Sequence, residues 1–226
     1  MTLKNFEAVF FDMDGTLVNT EPYWLIAETS LMAEFGYQWS DADQRYCLGG
    51  PLPRVGEYMR SITLMHDWQF YVTQLINRVA ELFGRGIDFM PGAQDLLREL
   101  SAAQIPLALV SASPRILVDA TLGAVGERTF SISISSDDVQ RSKPDPEPYL
   151  KAAGFLGVDI RNCLILEDSI TGITAAQSSG AMTLAIPHIV TVGPHPRTIV
   201  VETLAGMTTQ DLAKLFSDMT TEWITQ

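Results

Sequence analysis

The chain has 226 residues, of which 46% are hydrophobic and 19% are charged, a composition typical of a folded globular protein rather than a disordered one. Its formal net charge of −12 argues against a nucleic-acid partner, because phosphate backbones attract basic surfaces. An anionic small molecule would also be repelled by this charge, so its capture would need a bound cation and a few placed basic groups.

Three features indicate where the protein resides. Cys47 and Cys163 form neither a metal-ligand cluster nor the framework of a secreted disulfide domain. The first seven residues lack the pattern of a signal peptide, and no apolar run approaches the length of a membrane span. We therefore expect a cytoplasmic protein with free thiols and no membrane partner, and the oligomeric state is left open.

Short apolar runs alternate with helical patterns, which predicts a parallel sheet with crossover helices. The predicted strands are, in chain order, 8–11, 107–110, 132–134, 163–166 and 182–186. Most are apolar throughout, as expected for strands covered on both faces. The predicted helices between them are 93–103, 114–122, 146–155 and 171–179, and Gly123 and Gly180 lie where helix ends favour glycine.

The segment after the first strand differs from the rest, because it has helical periodicity and no convincing strand. Pro22 suits the first turn of a helix, whose apolar stripe is Trp24, Ala27, Leu31 and Phe35. A second stripe follows at positions 72, 75, 76, 79, 80 and 83. The sequence thus predicts an α/β fold: a Rossmann-like parallel core of residues 1–17 and 89–226, with helices on both faces, and an inserted all-helical domain of residues 18–88.

Polar side chains follow three of the predicted strands. Asp12 comes after the first, Ser111 after the second and the Glu167–Asp168 pair after the fourth. Lys143, in the loop after the third strand, can reach the same edge of the sheet. Open parallel sheets bind ligands beyond the carboxyl ends of their strands, so we expect these side chains to converge on one site.

The chemistry of this set suits a cation and a phosphoryl group. Asp12 and Asp14 would point to one side of an extended segment, and Gly15 allows a sharp turn that opens backbone N–H groups to an anion. Clustered carboxylates repel one another unless a cation neutralises them, and oxygen-only ligands suit Mg²⁺. Ser111 offers a hydroxyl donor and Lys143 a positive charge.

Each of these residues also has an ordinary structural interpretation. Asp12, Asp168 and Ser111 could each cap a helix, and Lys143 could be a solvated surface residue. Four independent roles of that kind would not require this combination of chemical types, which favours a functional site.

Four segments resemble, in order, the four motifs of the haloacid dehalogenase superfamily. They are FDMDGTLV at 11–18, VSAS at 110–113, KPDP at 143–146, and LEDS at 166–169 followed by Gly172. The ordered set is far more specific than a lone Asp-x-Asp-Gly. The helical insertion resembles the small α-helical cap of the subgroup that contains β-phosphoglucomutase and sugar-phosphate phosphatases.

The resemblance implies a role for each motif residue. Asp12 would be the nucleophile that forms an aspartyl-phosphate, and Asp14 would act first as an acid and then as a base. Asp12, the backbone carbonyl of Asp14, and Asp168 would hold Mg²⁺, while Glu167 is left open between a ligand and a supporting residue. The residues that would bind the transferring phosphoryl group are Met13, Ser111, Ala112 and Lys143.

The resemblance also separates the reaction types of the superfamily. Asp14 argues against a dehalogenase, and the absence of lysine from residues 18–88 argues against a phosphonatase that forms a Schiff base. β-Phosphoglucomutases carry a histidine twelve positions after the nucleophile, where this chain has Trp24. We therefore expect an Mg²⁺-dependent phosphatase of a small phosphoester, with a sugar phosphate as the expected substrate. The alternatives are a phosphomutase and a non-catalytic protein that binds a phosphometabolite.

The residues that select the substrate are the hardest to predict. Arg54 follows Gly49 and Gly50 in a segment that resembles the substrate-contacting loop of the cap, so we expect it either to contact the substrate or to be an ordinary surface arginine. Trp24 and His66 are expected to be structural.

Overall fold

The computed structural model describes residues 6–187 and 191–224, which form a six-stranded sheet covered by helices. Its strands are β1 (Ala8–Phe11), β2 (Leu107–Val110), β3 (Ile132–Ile134), β4 (Cys163–Glu167), β5 (Met182–Ala185) and β6 (Thr198–Val200). All neighbours are parallel, in the order β3-β2-β1-β4-β5-β6. The strand that leads to Asp12 thus lies at the centre, between β2 and β4, which brings the loops after all three strands to one edge.

Helices account for most of the remaining chain. Four helices follow β1 directly: α1 (Glu21–Ala33), α2 (Asp41–Cys47), α3 (Leu52–Thr63) and α4 (Trp68–Phe83). The others are α5 (Ala93–Ala102), α6 (Arg115–Val125), α7 (Glu147–Leu156), α8 (Ile170–Ser179) and α9 (Thr209–Ile224). Among the described residues, no helix is both long and apolar enough to cross a lipid bilayer.

The side chains of β1 alternate between two hydrophobic clusters, one on each face of the sheet. Val9 and Phe11 enter the larger cluster, which α5, α6 and α9 cover, and Ala8 and Phe10 enter the smaller one, which α7 and α8 cover. All four side chains are fully buried, which explains why the strand is apolar throughout. The predicted Rossmann-like core with helices on both faces is confirmed.

The segment of residues 18–88, here called the helical insertion, contains α1 to α4 and no strand. Its two ends are hydrogen-bonded to each other: Asn19 N donates to Asp88 O at 2.8 Å, and Met90 N donates to Leu17 O at 3.0 Å. The division of the chain into two domains at these positions stays a prediction. The outer ends of the predicted core, residues 1–5 and 225–226, lie outside the described residues.

Helix α1 differs in part from the predicted stripe. Pro22 lies in its first turn, and Ala27 and Leu31 are buried as expected. The helix ends at Ala33, because Gly36 takes a positive φ of 74°, and Phe35 therefore lies beyond it. Trp24 is only half-buried, but it packs on the core together with Phe35, so all four residues of the predicted stripe contact the core.

One helix end and two whole elements also differ from the prediction. Helix α6 continues past Gly123 to Val125, because Leu122 and Val125 still pack on the core, and Gly126 is its C-cap. Strand β6, three residues at an edge of the sheet, is absent from the predicted elements. Helix α9 was also not predicted; it packs on the core through Phe216, whose ring meets Phe6 at a centroid distance of 5.9 Å.

Candidate active site

The predicted polar residues meet where β1, β2 and β4 end. Asp12 N donates to Leu166 O at 3.0 Å, and Ser111 N donates to Ile134 O at 2.9 Å, so the strand ladder fixes the backbone of both residues. Lys143 reaches them from the loop before α7. The structure therefore brings Asp12, Ser111 and Lys143 to one edge of the sheet, as expected from the strand order.

Lys143 joins three groups at this edge of the sheet. Its ammonium donates to Asp12 Oδ1 at 2.6 Å, to Glu167 Oε1 at 2.6 Å and to the backbone oxygen of Val110 at 2.8 Å. Its side chain is only 2% exposed. An ammonium has three hydrogens, and all three have acceptors here, so Lys143 can hold Asp12 in place but would need to give up a partner to bond a phosphoryl oxygen directly.

Negative charge is in excess around Asp12. Burial raises the pKa of Asp12 well above its usual range, and the nearby carboxylates of Glu167 and Asp168 raise it further, while Lys143 lowers it. Burial alone would lower the pKa of Lys143, but Asp12 and Glu167 raise it well above its usual value. One cation thus offsets only part of the charge of this cluster, and a further cation would relieve the rest.

A metal ion fits the donor set of this cluster. Carboxylate oxygens of Asp12, Glu167 and Asp168 lie within 4.8 Å of one another, and oxygen donors of this kind suit Mg²⁺. Asp168 Oδ1 also accepts from Thr16 Oγ1 at 3.1 Å. A Cβ at Gly15 would overlap the Asp168 carboxylate, so the glycine lets this carboxylate lie against the loop that carries Asp12.

The contacts of Glu167 distinguish it from the other two carboxylates. Besides Lys143, its Oε1 accepts from Tyr149 Oη at 2.8 Å. Its Oε2 accepts from the backbone N of Asp168 at 3.1 Å and from the N and Oγ of Ser169 at 3.2 and 3.1 Å. Because both oxygens are engaged in a side chain that is fully buried, Glu167 is better suited to hold Lys143 than to bind an ion itself.

Asp14 is held by the loop after β2. Its Oδ2 accepts from Ser113 Oγ at 2.7 Å and from Ser111 Oγ at 3.3 Å, while its buried Oδ1 has no hydrogen-bond partner among the described residues. Burial raises the pKa of Asp14, although the hydroxyls of Ser113, Thr20 and Ser111 lower it in part. A carboxyl group of raised pKa with one unengaged oxygen is suited to donate a proton.

Gly172 is required by the packing around Glu167. A Cβ at this position would overlap the Glu167 carboxylate, whereas a Cβ at Gly154, on α7, would meet nothing within 4 Å.

We expect Gly172→Ala to lower the free energy of unfolding by about 3 kcal/mol and to reduce turnover by displacing Lys143. Gly154→Ala, the control, should raise stability by about 1 kcal/mol. Urea denaturation checks both values, and equal effects at the two positions would contradict this account.

A cleft of about 700 Å³ lies between the helical insertion and this edge of the sheet. Asp14, Ala112 and Ser113 line it from the core, and Glu21, Trp24 and Glu28 line it from α1. The tryptophan expected to be structural therefore faces the cleft. The sequence did not single out Ser113 or the two glutamates, although the spacing of the glutamates from Trp24 places all three on one face of α1.

Two residues that were expected to contact the substrate, Arg54 and Met13, do not line the cleft. Arg54 is not among the residues that line the cleft; its Nη2 donates to Tyr46 O at 2.8 Å and its guanidinium lies over the Tyr46 ring. Met13 is fully buried, and its sulfur accepts from Thr121 Oγ1 at 3.2 Å, so only its backbone can face a ligand. The contact predicted for Arg54 stays a prediction that these interactions do not support.

Comparison with known proteins places the chain among phosphatases and hydrolases. A bifunctional riboflavin kinase/FMN phosphatase of Arabidopsis thaliana is 29% identical over 188 residues, which cover 80% of this chain but 48% of that protein, so the chain spans about half of its length. Hexitol phosphatase B of Escherichia coli K12 is 30% identical over 190 residues, or 82% of this chain and 86% of that protein.

Fold and family agree with these similarities. The crystal structure of a family IA, variant 3 hydrolase from Entamoeba histolytica superposes with a TM-score of 0.77 at 26% identity, over 93% of this chain and 99% of that one. Residues 9–186 match the haloacid dehalogenase-like hydrolase family, and this span contains all four predicted motifs. The predicted resemblance is confirmed, and the chain belongs to the haloacid dehalogenase-like hydrolase family.

Proposed function

We propose that the chain is an Mg²⁺-dependent phosphatase that hydrolyses a small phosphoester, with a sugar phosphate as substrate, through an aspartyl-phosphate on Asp12. The family and the phosphatases similar to it make the chain a phosphohydrolase. The proposed mechanism through Asp12 rests on one arrangement: Lys143 holds Oδ1 of a buried Asp12, and Asp14 lines the adjoining cleft. The similarity to hexitol phosphatase B supports the substrate class.

The first half of the reaction uses both aspartates. Since Lys143 holds Asp12 Oδ1, we assign the attack on phosphorus to Oδ2. The bond between phosphorus and the ester oxygen breaks as the new bond forms, and protonated Asp14 donates its proton to the leaving oxygen. Ser111 lies beside Asp14, and its hydroxyl could donate instead to an oxygen of the transferring group.

The second half regenerates the enzyme. Asp14, now a carboxylate, takes a proton from a water molecule, whose oxygen attacks phosphorus and releases phosphate from Asp12. Asp12, Asp168 and the backbone carbonyl of Asp14 would hold Mg²⁺, which when bound supplies positive charge against the transferring phosphoryl group. Glu167 keeps Lys143 in place through both halves.

A phosphomutase is the second candidate, and Trp24 argues against it. A mutase must keep water from the intermediate and return the phosphoryl group to a second hydroxyl. Trp24 stands in the cleft at the position where β-phosphoglucomutases carry a histidine, and an indole N–H can only donate. β-Phosphoglucomutases also carry a lysine later in the cap, and the helical insertion has none. Net hydrolysis is the outcome that these residues favour.

Removal of divalent metal tests the metal requirement. We expect phosphate release from glucose 6-phosphate to fall at least about 100-fold in excess chelator and to return with Mg²⁺, because the charge around Asp12 would then be offset by Lys143 alone. Ca²⁺ should not restore it, since its looser shell of more ligands could engage both oxygens of Asp12. Full activity in chelator would contradict the assignment.

A cytoplasmic location, the absence of nucleic-acid and membrane partners, and the roles of the individual site residues stay predictions.

A further inference from the structure

One face of α1 carries three side chains into the cleft. Glu21, Trp24 and Glu28 are spaced at i, i+3 and i+7, which places them on the same side of a helix, and all three line the cleft together with Asp14. The reaction proposed above uses Asp14 but neither glutamate. A function for the two glutamates must therefore be sought in the part of the cleft away from the phosphoryl group.

Glu28 is unusual for a charged residue. It is only 4% exposed, and its Oε2 has no hydrogen-bond partner among the described residues. Burial, and then the charge of Glu21, raise the pKa of Glu28 to about 7. A buried carboxyl group without a partner lowers stability, and one that faces a cleft is suited to receive a hydrogen bond from a ligand.

The charge of the cleft lining points to the kind of ligand. The lining contains three carboxylates, Asp14, Glu21 and Glu28, and no lysine, arginine or histidine among the described residues that form it. Arg54, on the neighbouring α3, directs its guanidinium to Tyr46 O and lies against Gly50 at the edge of this lining. Beside Glu21 and Glu28, a second anionic group of a substrate would meet repulsion.

We propose, building on the phosphatase function above, that Glu28 is a specificity-determining residue: it accepts a hydrogen bond from a hydroxyl of an uncharged polyhydroxylated leaving group, and with Glu21 it rejects phosphoesters that carry a second anionic group. Both protonation states of Glu28 retain an acceptor oxygen, so hydroxyl recognition does not require ionisation. Rejection of anions by Glu28 requires its ionised form.

Matched substrate pairs at pH 8 with Mg²⁺ test this inference. Glucose 6-phosphate is compared with 6-phosphogluconate, and glycerol 3-phosphate with 3-phosphoglycerate, by kcat/KM; p-nitrophenyl phosphate reports on the phosphoryl transfer. Glu28→Gln keeps an acceptor and removes the charge, whereas Glu28→Leu removes both. Glu34→Gln is the control, because this glutamate is exposed and paired with Arg78.

The parent should prefer the uncharged member of each pair. Glu28→Gln should reduce that preference at least about tenfold, and Glu28→Leu should lower kcat/KM for the uncharged members by about tenfold relative to p-nitrophenyl phosphate. Glu34→Gln should leave each ratio at the parent value. Far-UV circular dichroism verifies that each variant is folded.

The outcomes separate this inference from the proposed function. If the parent hydrolyses p-nitrophenyl phosphate but Glu28→Gln keeps the parent's preference, the inference is overturned and the phosphatase function stands. If the parent strongly prefers glucosamine 6-phosphate to glucose 6-phosphate, Glu28 serves an ammonium group and the inference is again overturned. If no phosphoester releases phosphate, both proposals are overturned.

Discussion

Asp12→Asn should reduce phosphate release by about 10⁴-fold or more, because an amide is a far poorer nucleophile than a carboxylate. The substitution is nearly isosteric, so Lys143 keeps Glu167 and Val110 as acceptors. Steady-state phosphate release from glucose 6-phosphate and p-nitrophenyl phosphate measures the loss. Activity within tenfold of the parent would exclude Asp12 as the nucleophile.

The same variant should be at least as stable as the parent in metal-free buffer at pH 7. The pKa of Asp12 is raised in the folded protein. Ionised Asp12 therefore lowers stability progressively as the pH rises above the pKa that Asp12 has in the unfolded chain. Asparagine removes that effect. Asp95→Asn is the control, since the side chain of Asp95 is 85% exposed, and it should change neither turnover nor the urea midpoint.

Lys143→Met should lower the free energy of unfolding by about 3–5 kcal/mol, because it leaves Asp12 and Glu167 buried without their shared cation. Their side chains are only 8% and 0% exposed, so water cannot replace the ammonium. Turnover should fall with stability, since Asp12 Oδ1 loses the contact that orients it. Urea denaturation at pH 7 in metal-free buffer measures the first effect.

A double variant separates the two roles of Lys143. Lys143→Met combined with Glu167→Gln removes one of the two unpaired charges, so much of the lost stability should return while turnover remains low. Lys214→Met is the control, because Lys214 is exposed on α9. A loss below about 1 kcal/mol in Lys143→Met would show that the ion pairs contribute no more than surface pairs do.

The part of the site that follows from strand order could be predicted from the sequence. Asp12 and Ser111 come directly after short apolar runs and Asp168 one residue later, and parallel strands bring such positions together whatever the details of packing. Lys143 could be predicted only to be within reach, because its three acceptors depend on side-chain geometry. The number of partners that a buried group has is a property of the folded core and not of any local pattern.

The helical insertion shows where sequence reasoning is weakest. Trp24 belongs to an apolar stripe, and hydrophobic periodicity cannot tell a face that meets the core from a face that lines a cleft. Glu28 interrupts that stripe, but a single glutamate in an amphipathic helix is usually solvated. It lines the cleft together with residues of α2 and of the loop before α3, and no local signal reveals that arrangement. Arg54 was predicted from a loop resemblance, and its contact with Tyr46 O depends on the same packing.

Two hydrogen bonds join Leu17 to Met90 and Asn19 to Asp88, so the helical insertion leaves the core and returns to it at one place. Its departure and return points are adjacent, about 5 Å apart as in any two paired strands, and the core is not rerouted by what lies between them. Closing the loop costs the chain little more for a long excursion than for a short one. We therefore expect that the insertion can be exchanged for that of a relative, which would alter the molecules that are accepted and leave the strand ends that carry Asp12 and Ser111 unchanged.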